Sequence, residues 1–266
     1  MRTSLKKAFD LLDVFTLADP EWGLAELSAK LSMPKATVHH IMATLVETGW
    51  IVQDPKSRRY RLGIRLWEKG WLAVNQLGLR ELARPFVEAL AKTSGETVHL
   101  AILDTVDSGY VVYIDKIESA QPVRAYSMVG GRAPSHCVAT GKAILAFNPE
   151  VLKLLLSRRL HAYTEFTMVE PSRLAQDLAE TEKRGFSINH GEYRADVTGV
   201  AAPIRDQEGY VFSAVGISGP SYRLSAKAIQ NVAPVVATTA QKISTQMGFI
   251  AGAHGGKVVR MRLAKA

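Results

Sequence analysis

The chain has 266 residues, 47% of them hydrophobic and 22% charged, a size that suits two domains at roughly 150 residues each and a composition that excludes disorder as the main state. No window reaches the ~18 consecutive apolar residues of a membrane span. The opening Met1-Arg2-Thr3-Ser4-Leu5-Lys6-Lys7 lacks the apolar run and cleavage site of a signal peptide, so a cytoplasmic protein is expected.

The single cysteine, Cys137, allows neither an internal disulfide nor a four-cysteine zinc site. Net charge is +8, and its placement is uneven. Residues 1–75 carry 11 basic against 8 acidic side chains, residues 76–250 carry 18 against 17, and residues 251–266 carry 4 against none. A nearly neutral middle between basic ends is the pattern of a chain whose end meets a polyanion.

Three short helical patterns come first. Leu5, Ala8, Phe9, Leu12 and Phe15 recur at helical spacing, and Asp19-Pro20-Glu21-Trp22-Gly23 breaks the run. Leu24, Leu27 and Leu31 form a second pattern. Ser32-Met33-Pro34 then makes a tight turn, with Ser32 as the expected cap and Pro34 in the first turn of the next helix. The third helix buries Val38, Ile41, Met42 and Leu45 and ends at Gly49. Its opposite face carries Ala36, His40, Ala43 and Glu47, flanked by Lys35, Thr37 and Thr44. Small residues flanked by donors suit a helix lying in a DNA major groove. The competing reading is an ordinary bundle helix with alanines chosen for propensity.

A basic hairpin beyond the third helix favours the groove-binding reading. Residues 50–53 read as a strand, Asp54-Pro55-Lys56-Ser57 as a turn, and Arg58-Arg59-Tyr60-Arg61-Leu62 as the return strand closed by Gly63. Residues 31–75 hold 7 basic and 3 acidic side chains. Helix, helix, turn, helix and a basic hairpin is the order of a winged helix-turn-helix. Lys35, Ala36, Thr37, His39, His40 and Thr44 on the third helix, with Arg58, Arg59 and Arg61 on the hairpin, are the candidate contacts to double-stranded DNA.

Residues 64–94 resume helical character, interrupted at Gln76-Leu77-Gly78. Trp67 and Trp71 on this linker need a covering surface, either a second copy of the chain or Phe9 and Phe15 of the same one. Residues 95–250 read as mixed α+β. Strands are expected at 97–103, 110–117 and 123–129, and a loop at 130–135. Helices are expected at 138–147, 149–157 and 172–184, strands at 186–189, 199–205 and 210–217, and a last helix at 225–247 kinked by Pro234. Antiparallel turns favour α+β over a doubly wound sheet. The domain boundaries are therefore 1–77, 78–250 and a flexible basic tail at 251–266.

Catalytic alternatives centre on Cys137, a thiol that His136, His190 or His99 would have to activate. A half-buried cysteine at a helix start is better explained as a small hydrophobe, and no ligand spacing supports a metal at His136, Cys137 and His190. Gly141-Lys142 lacks the upstream glycine and following Ser/Thr of a phosphate loop. The helix start near Ala139 and Thr140 instead offers free N–H groups to a carboxylate, with Ser218-Gly219-Pro220 positioned to add a hydroxyl.

The ordered motifs Gly23-Leu24-Ala25-Glu26-Leu27, Pro34-Lys35-Ala36-Thr37-Val38, Tyr60-Arg61-Leu62-Gly63, Pro134-Ser135-His136, Gly141-Lys142-Ala143-Ile144-Leu145-Ala146, Arg184-Gly185-Phe186, Ala201-Ala202-Pro203-Ile204 and Ile217-Ser218-Gly219-Pro220 resemble the IclR-type transcriptional regulators. The resemblance covers about residues 5–248. It implies a winged helix-turn-helix, a linker helix and a C-terminal GAF-like antiparallel sheet domain with flanking helices. It further implies a small effector, no cofactor and no catalysis, and homodimers or dimers of dimers on roughly palindromic operators. By position, the family's effector pocket falls on Ala133, Ala139, Thr140, Asn189, Val197, Gly199, Gly216 and Ser218. Asn189 stands where members that bind small oxo-acids carry an acid, and Gly216 where they carry serine, which suits a larger or more aromatic acid. His40 replaces an arginine common in the recognition helix, removing a bidentate contact to guanine.

Overall fold

A computed structural model describes residues 3–104, 106–125 and 127–250 of the chain; the basic segment 251–266, expected as a tail, lies outside the described residues. The chain divides into two compact units, Met1–Leu77 and Gly78–Ala266.

The front unit contains α1 (Ser4–Leu12), α2 (Leu24–Leu31), α3 (Lys35–Glu47), β1 (Ile51–Gln53), β2 (Tyr60–Leu62) and α4 (Ile64–Asn75). Leu11, Leu27, Val38, Met42, Ile51 and Tyr60 form its core. Apolar spacing in α2 and α3 places their leucines, Val38 and Met42 as expected. In α1 it does not: Leu5 and Phe9 are exposed, and Leu11, outside the expected stripe, is buried with Phe15. Ser32 also differs from expectation. It terminates α2 in the left-handed region at φ 52, while the N-cap of α3 is Pro34, which supplies no side-chain hydrogen bond. β1 and β2 pair antiparallel through Val52 and Arg61. An isolated bridge from Trp22 to Tyr60 ties the segment before α2 onto the hairpin.

The rear unit contains α5 (Leu79–Ser94), β3 (Thr97–Leu103), β4 (Tyr110–Ile117), β5 (Arg132–Pro134), α6 (Ala139–Leu145), α7 (Pro149–Leu156), α8 (Pro171–Arg184), β6 (Ser187–His190), β7 (Val197–Arg205), β8 (Val211–Pro220) and α9 (Ala226–Gln246). The strands form one six-stranded sheet in the order β5-β4-β3-β8-β7-β6, every pairing antiparallel. Alternation splits the residues between two faces. Ala101, Leu103, Val111, Ala201 and Ala214 pack with Ala143, Ile144 and Leu145 of α6, and α5 and α9 cover the other face. Pro234 lies inside α9, which continues past it.

One expected strand is displaced. The described residues of 123–129 form no strand. Their backbone oxygens are taken by side chains from elsewhere, Arg223 on Val123 and Lys116 on Ser127, which removes the need for a ladder. The strand lies instead at Arg132–Pro134, within the expected loop, where Ala133 pairs with Val111. Pro134 is tolerated there because β5 is an edge strand.

Candidate functional site

On the front unit, Lys35, Ala36, His39, His40 and Thr44 are exposed along α3 and Thr37 is half-buried. The first N–H groups of α3 have no intrahelical partner, and Pro34 supplies no side-chain acceptor to cap them. Thr44 Oγ1 donates to the His40 carbonyl at 3.2 Å, so this hydroxyl serves its own helix.

The hairpin turn is organised by Asp54. Its Oδ1 accepts the N–H groups of Ser57 (2.7 Å) and Lys56 (2.9 Å), and these bonds hold the carboxyl below its usual range. Arg58 follows in the left-handed region at φ 57. Arg58 and Arg61 are exposed. Arg59 is not free: its guanidinium forks onto Glu26 at 2.7 and 3.1 Å and donates to the Glu21 carbonyl at 2.9 Å.

In the rear unit Ala139 and Thr140 open α6, and the other six residues named by resemblance lie on strands β5 to β8. Asn189, Gly199, Ser218 and Thr97 form one cross-strand row over β6, β7, β8 and β3. Gly216 stands two residues from Ser218 on the same face and pairs with His99. Val197 stands two residues before Gly199, opposite Pro220. Ala133 and Ala139 belong to the same buried cluster. A Cβ at Gly199 would lie 3.3 Å from the Ala139 Cβ, so glycine allows α6 to rest directly on β7. Ser187 Oγ fastens that contact by donating to the Ala139 carbonyl at 2.6 Å. Gly141 has a parallel role, since any Cβ there would overlap the Ser135 backbone oxygen.

The polar atoms near this row are defined by their partners. Asn189 Oδ1 accepts the Glu192 N–H at 2.9 Å, which identifies Nδ2 as the end left for another acceptor. Thr140 Oγ1 is buried without a well-formed hydrogen bond. The Tyr113 hydroxyl lies beside it, and burial raises this phenol to about 12.

Sequence reasoning missed three groups. His99, treated only as a possible base, is buried against the Tyr113 ring at 4.8 Å with Nε2 2.5 Å from Ser127 Oγ. Burial and the Lys116 charge push its pKa down to about 3, so the ring is neutral. Tyr163 packs edge-on against Tyr193 at 5.1 Å, beside His136 and His161. Lys142, fully buried in α6, reaches Glu192 at 2.6 Å and Asp177 at 2.9 Å. Alternation in β3 signals His99, because Thr97, His99 and Ala101 share a face; nothing local signals the partners of Lys142.

The thiol-enzyme alternative finds no support. Cys137 is fully buried, its Sγ faces the Pro134 carbonyl at 3.8 Å, and burial and the Glu192 charge raise the thiol far above its ordinary range. His136 Nε2 is engaged with the His161 carbonyl at 3.1 Å. Among the described residues no group of three His, Cys, Asp or Glu side chains could hold a metal, and no helix is long and apolar enough to cross a membrane.

Comparison with known proteins bears on both units. Residues 4–55 match the IclR helix-turn-helix domain and residues 71–245 match the bacterial transcriptional regulator IclR C-terminal model. The chain is 32% identical to the HTH-type transcriptional regulator KdgR of Escherichia coli (strain K12) over 249 residues, 93% of each protein. It superposes on the crystal structure of the Thermotoga maritima IclR with a TM-score of 0.73 at 30% identity, covering 92% of this chain and 99% of that one. An IclR homologue from Microbacterium hydrocarbonoxydans, crystallised with 4-hydroxybenzoate, gives a TM-score of 0.79 at 26% identity over 92% and 99% of the two chains.

Proposed function

The chain belongs to the IclR family and is a DNA-binding transcriptional regulator with an effector-binding C-terminal domain, and from that premise we propose that residues 1–77 grip an operator while residues 78–250 bind a small aromatic acid. The observation that carries the first half is the α3 face. Lys35, Ala36, His39 and His40 project from a helix whose first N–H groups are uncapped, the arrangement that lets a helix enter a major groove and hold a phosphate at its start. His40 replaces a longer guanidinium, so base choice there rests on a shorter contact.

The aromatic acid is argued from the polarity of the row beneath α6. Asn189 Nδ2 supplies a donor where a carboxylate side chain would repel an acid. Thr140 and Ser218 supply hydroxyls, and Gly216 pairs with His99, whose ring packs on Tyr113, at a point where glycine lets β8 lie close against Ala201 of β7. Because the Microbacterium relative holds 4-hydroxybenzoate, that compound is the first probe. At a concentration a hundredfold above its Kd it should stabilise the full chain by about 2.7 kcal/mol in a thermal-shift assay. Ser218→Phe should abolish the shift while leaving duplex DNA affinity intact; an undiminished shift in that variant overturns the pocket.

The regulator also acts as a homodimer in this reading. Trp67 and Trp71 stack on each other at 5.7 Å along α4, and Ile64, Trp67 and Leu72 are exposed on that helix. A second copy of the chain is the natural cover for such a surface, and a twofold axis would present two α3 helices to the half-sites of a palindrome.

A further inference from the structure

The wing arginines do not share one role. Arg58 and Arg61 are exposed, whereas Arg59 is half-buried and both terminal nitrogens of its guanidinium bond within the protein. Two parallel bonds to Glu26 and one to the Glu21 carbonyl hold it. Glu26 is itself fixed, because Oε2 also accepts the Gly23 N–H at 2.8 Å at the start of α2. One residue further along the strand, the Trp22 N–H and carbonyl exchange hydrogen bonds with Tyr60 at 3.0 and 2.8 Å. The pair therefore joins hairpin to α2 at the point where the chain enters the helix-turn-helix.

Resting on the DNA-binding reading, we propose that Arg59 is a positioning residue: with Glu26 it clamps the wing against α2, so that the wing's phosphate contacts fall to Arg58 and Arg61. An exposed ion pair adds little to stability. The fork contributes geometry, since two parallel bonds fix orientation as well as distance. A 390 Å³ groove bounded by Gly23, Glu26, His39, Gln53, Arg58 and Arg59 lies between wing, α2 and α3. Its width is set by this clamp, and with it the spacing between Arg58 and the α3 face.

The two roles make opposite demands on Glu26. If Arg59 neutralised a phosphate, removing the neighbouring negative charge would tighten DNA binding. If Arg59 acts through Glu26, removing that charge loosens the wing and weakens binding. The test uses the full chain, a duplex selected by it from a random-sequence pool, and mixed-sequence duplex DNA for the salt dependence. Glu26→Gln and Arg59→Ala are each expected to weaken the selected duplex several-fold, and the double variant to be no weaker than either single one. Arg59→Ala should leave the slope of log K against log salt at the wild-type value, while Arg58→Ala lowers its magnitude by about 0.9. Tighter binding by Glu26→Gln, a slope loss of about 0.9 in Arg59→Ala, or additive losses in the double variant would each overturn the assignment. Tryptophan fluorescence confirms folding in every case, since Trp22, Trp50, Trp67 and Trp71 all lie in this unit. Failure of the wild type to bind any duplex would instead refute the DNA-binding reading itself.

Discussion

Replacing Lys142 by methionine removes the buried cation between Glu192 and Asp177 and leaves two carboxylates facing its place, with only the partly exposed Arg184, 3.9 Å from Asp177, as a cation paired nearby. Glu192 is almost wholly buried and Asp177 partly so, with Nζ 2.6 and 2.9 Å from their oxygens. At an effective dielectric constant of about 20 each contact is worth about 6 kcal/mol before desolvation. Desolvation cancels most of that sum, and breaking such a pair from one side costs about 3–5 kcal/mol. Burial already raises the Glu192 carboxyl above its ordinary 4.5, and Lys142 is the group that pulls it back. Without the lysine the folded state holds a proton on Glu192 that the unfolded chain releases. A raised folded pKa gives stability that is complete below the unfolded value and is lost as pH climbs through the folded one. Lys142→Met should therefore lose about 3–5 kcal/mol at pH 8 and clearly less at pH 5, and Glu192→Gln in the same chain should flatten the difference. Urea denaturation followed by tyrosine near-ultraviolet circular dichroism reads this unit, which holds seven of the eight tyrosines and no tryptophan. Equal losses at the two pH values would refute the assignment of the orphan charge to Glu192.

Packing, burial and exposure at three other positions set three more outcomes. Gly141→Ala should destabilise the rear unit by more than the ~1–3 kcal/mol of ordinary overpacking, because its Cβ would run into the Ser135 backbone; a wild-type melting temperature would contradict that packing. Cys137 should resist alkylation by iodoacetamide in the native chain and react on unfolding, and Cys137→Ser should keep DNA binding, as the thiol is buried and held protonated. Trp67→Ser should shift the full chain towards monomer in light scattering and weaken binding to a palindromic duplex, and an unchanged mass would remove α4 from the dimer contact.

The front unit is legible in the sequence because its signals are local. The stripe of Val38 and Met42, the Pro34 turn and the basic hairpin all declare themselves within about ten residues. The errors arise where a distant partner decides. Ser32 caps the end of one helix rather than the start of the next, since Met33 already bonds back to Ser28. Residues 123–129 alternate like a strand but are held by side chains of Lys116 and Arg223. A distant partner also engages Arg59, whose guanidinium meets Glu26, 33 positions away, a pairing that no local pattern signals. The rear site is only partly local: the start of α6 and Ser218 can be read from the residues themselves, but Asn189, Gly199, Ser218 and Thr97 meet only through strand register, and neither local pattern nor resemblance points to Tyr113.

The same register suggests where an effector's influence must pass. The row ends at Thr97, whose Oγ1 accepts the Ser119 N–H, while Ser119 Oγ donates to the Gly95 carbonyl at the end of α5. Further along α5, Arg84 Nη1 donates to both oxygens of the buried Asp115 of β4 at 3.0 and 3.1 Å. On the proposed effector site, a ligand that shifts the Ser218–Thr97 pair acts on a helix that is pinned to the sheet at these two places. Pinning matters because a ligand alters DNA occupancy only by binding one arrangement of the protein better than another. A helix free to relax would absorb the shift. Arg84→Ala consequently uncouples rather than blinds the regulator: 4-hydroxybenzoate should still raise its thermal stability, but the ligand's effect on duplex affinity should shrink. Loss of the ligand's own binding in that variant would show that Asp115 and Arg84 shape the pocket instead of transmitting from it.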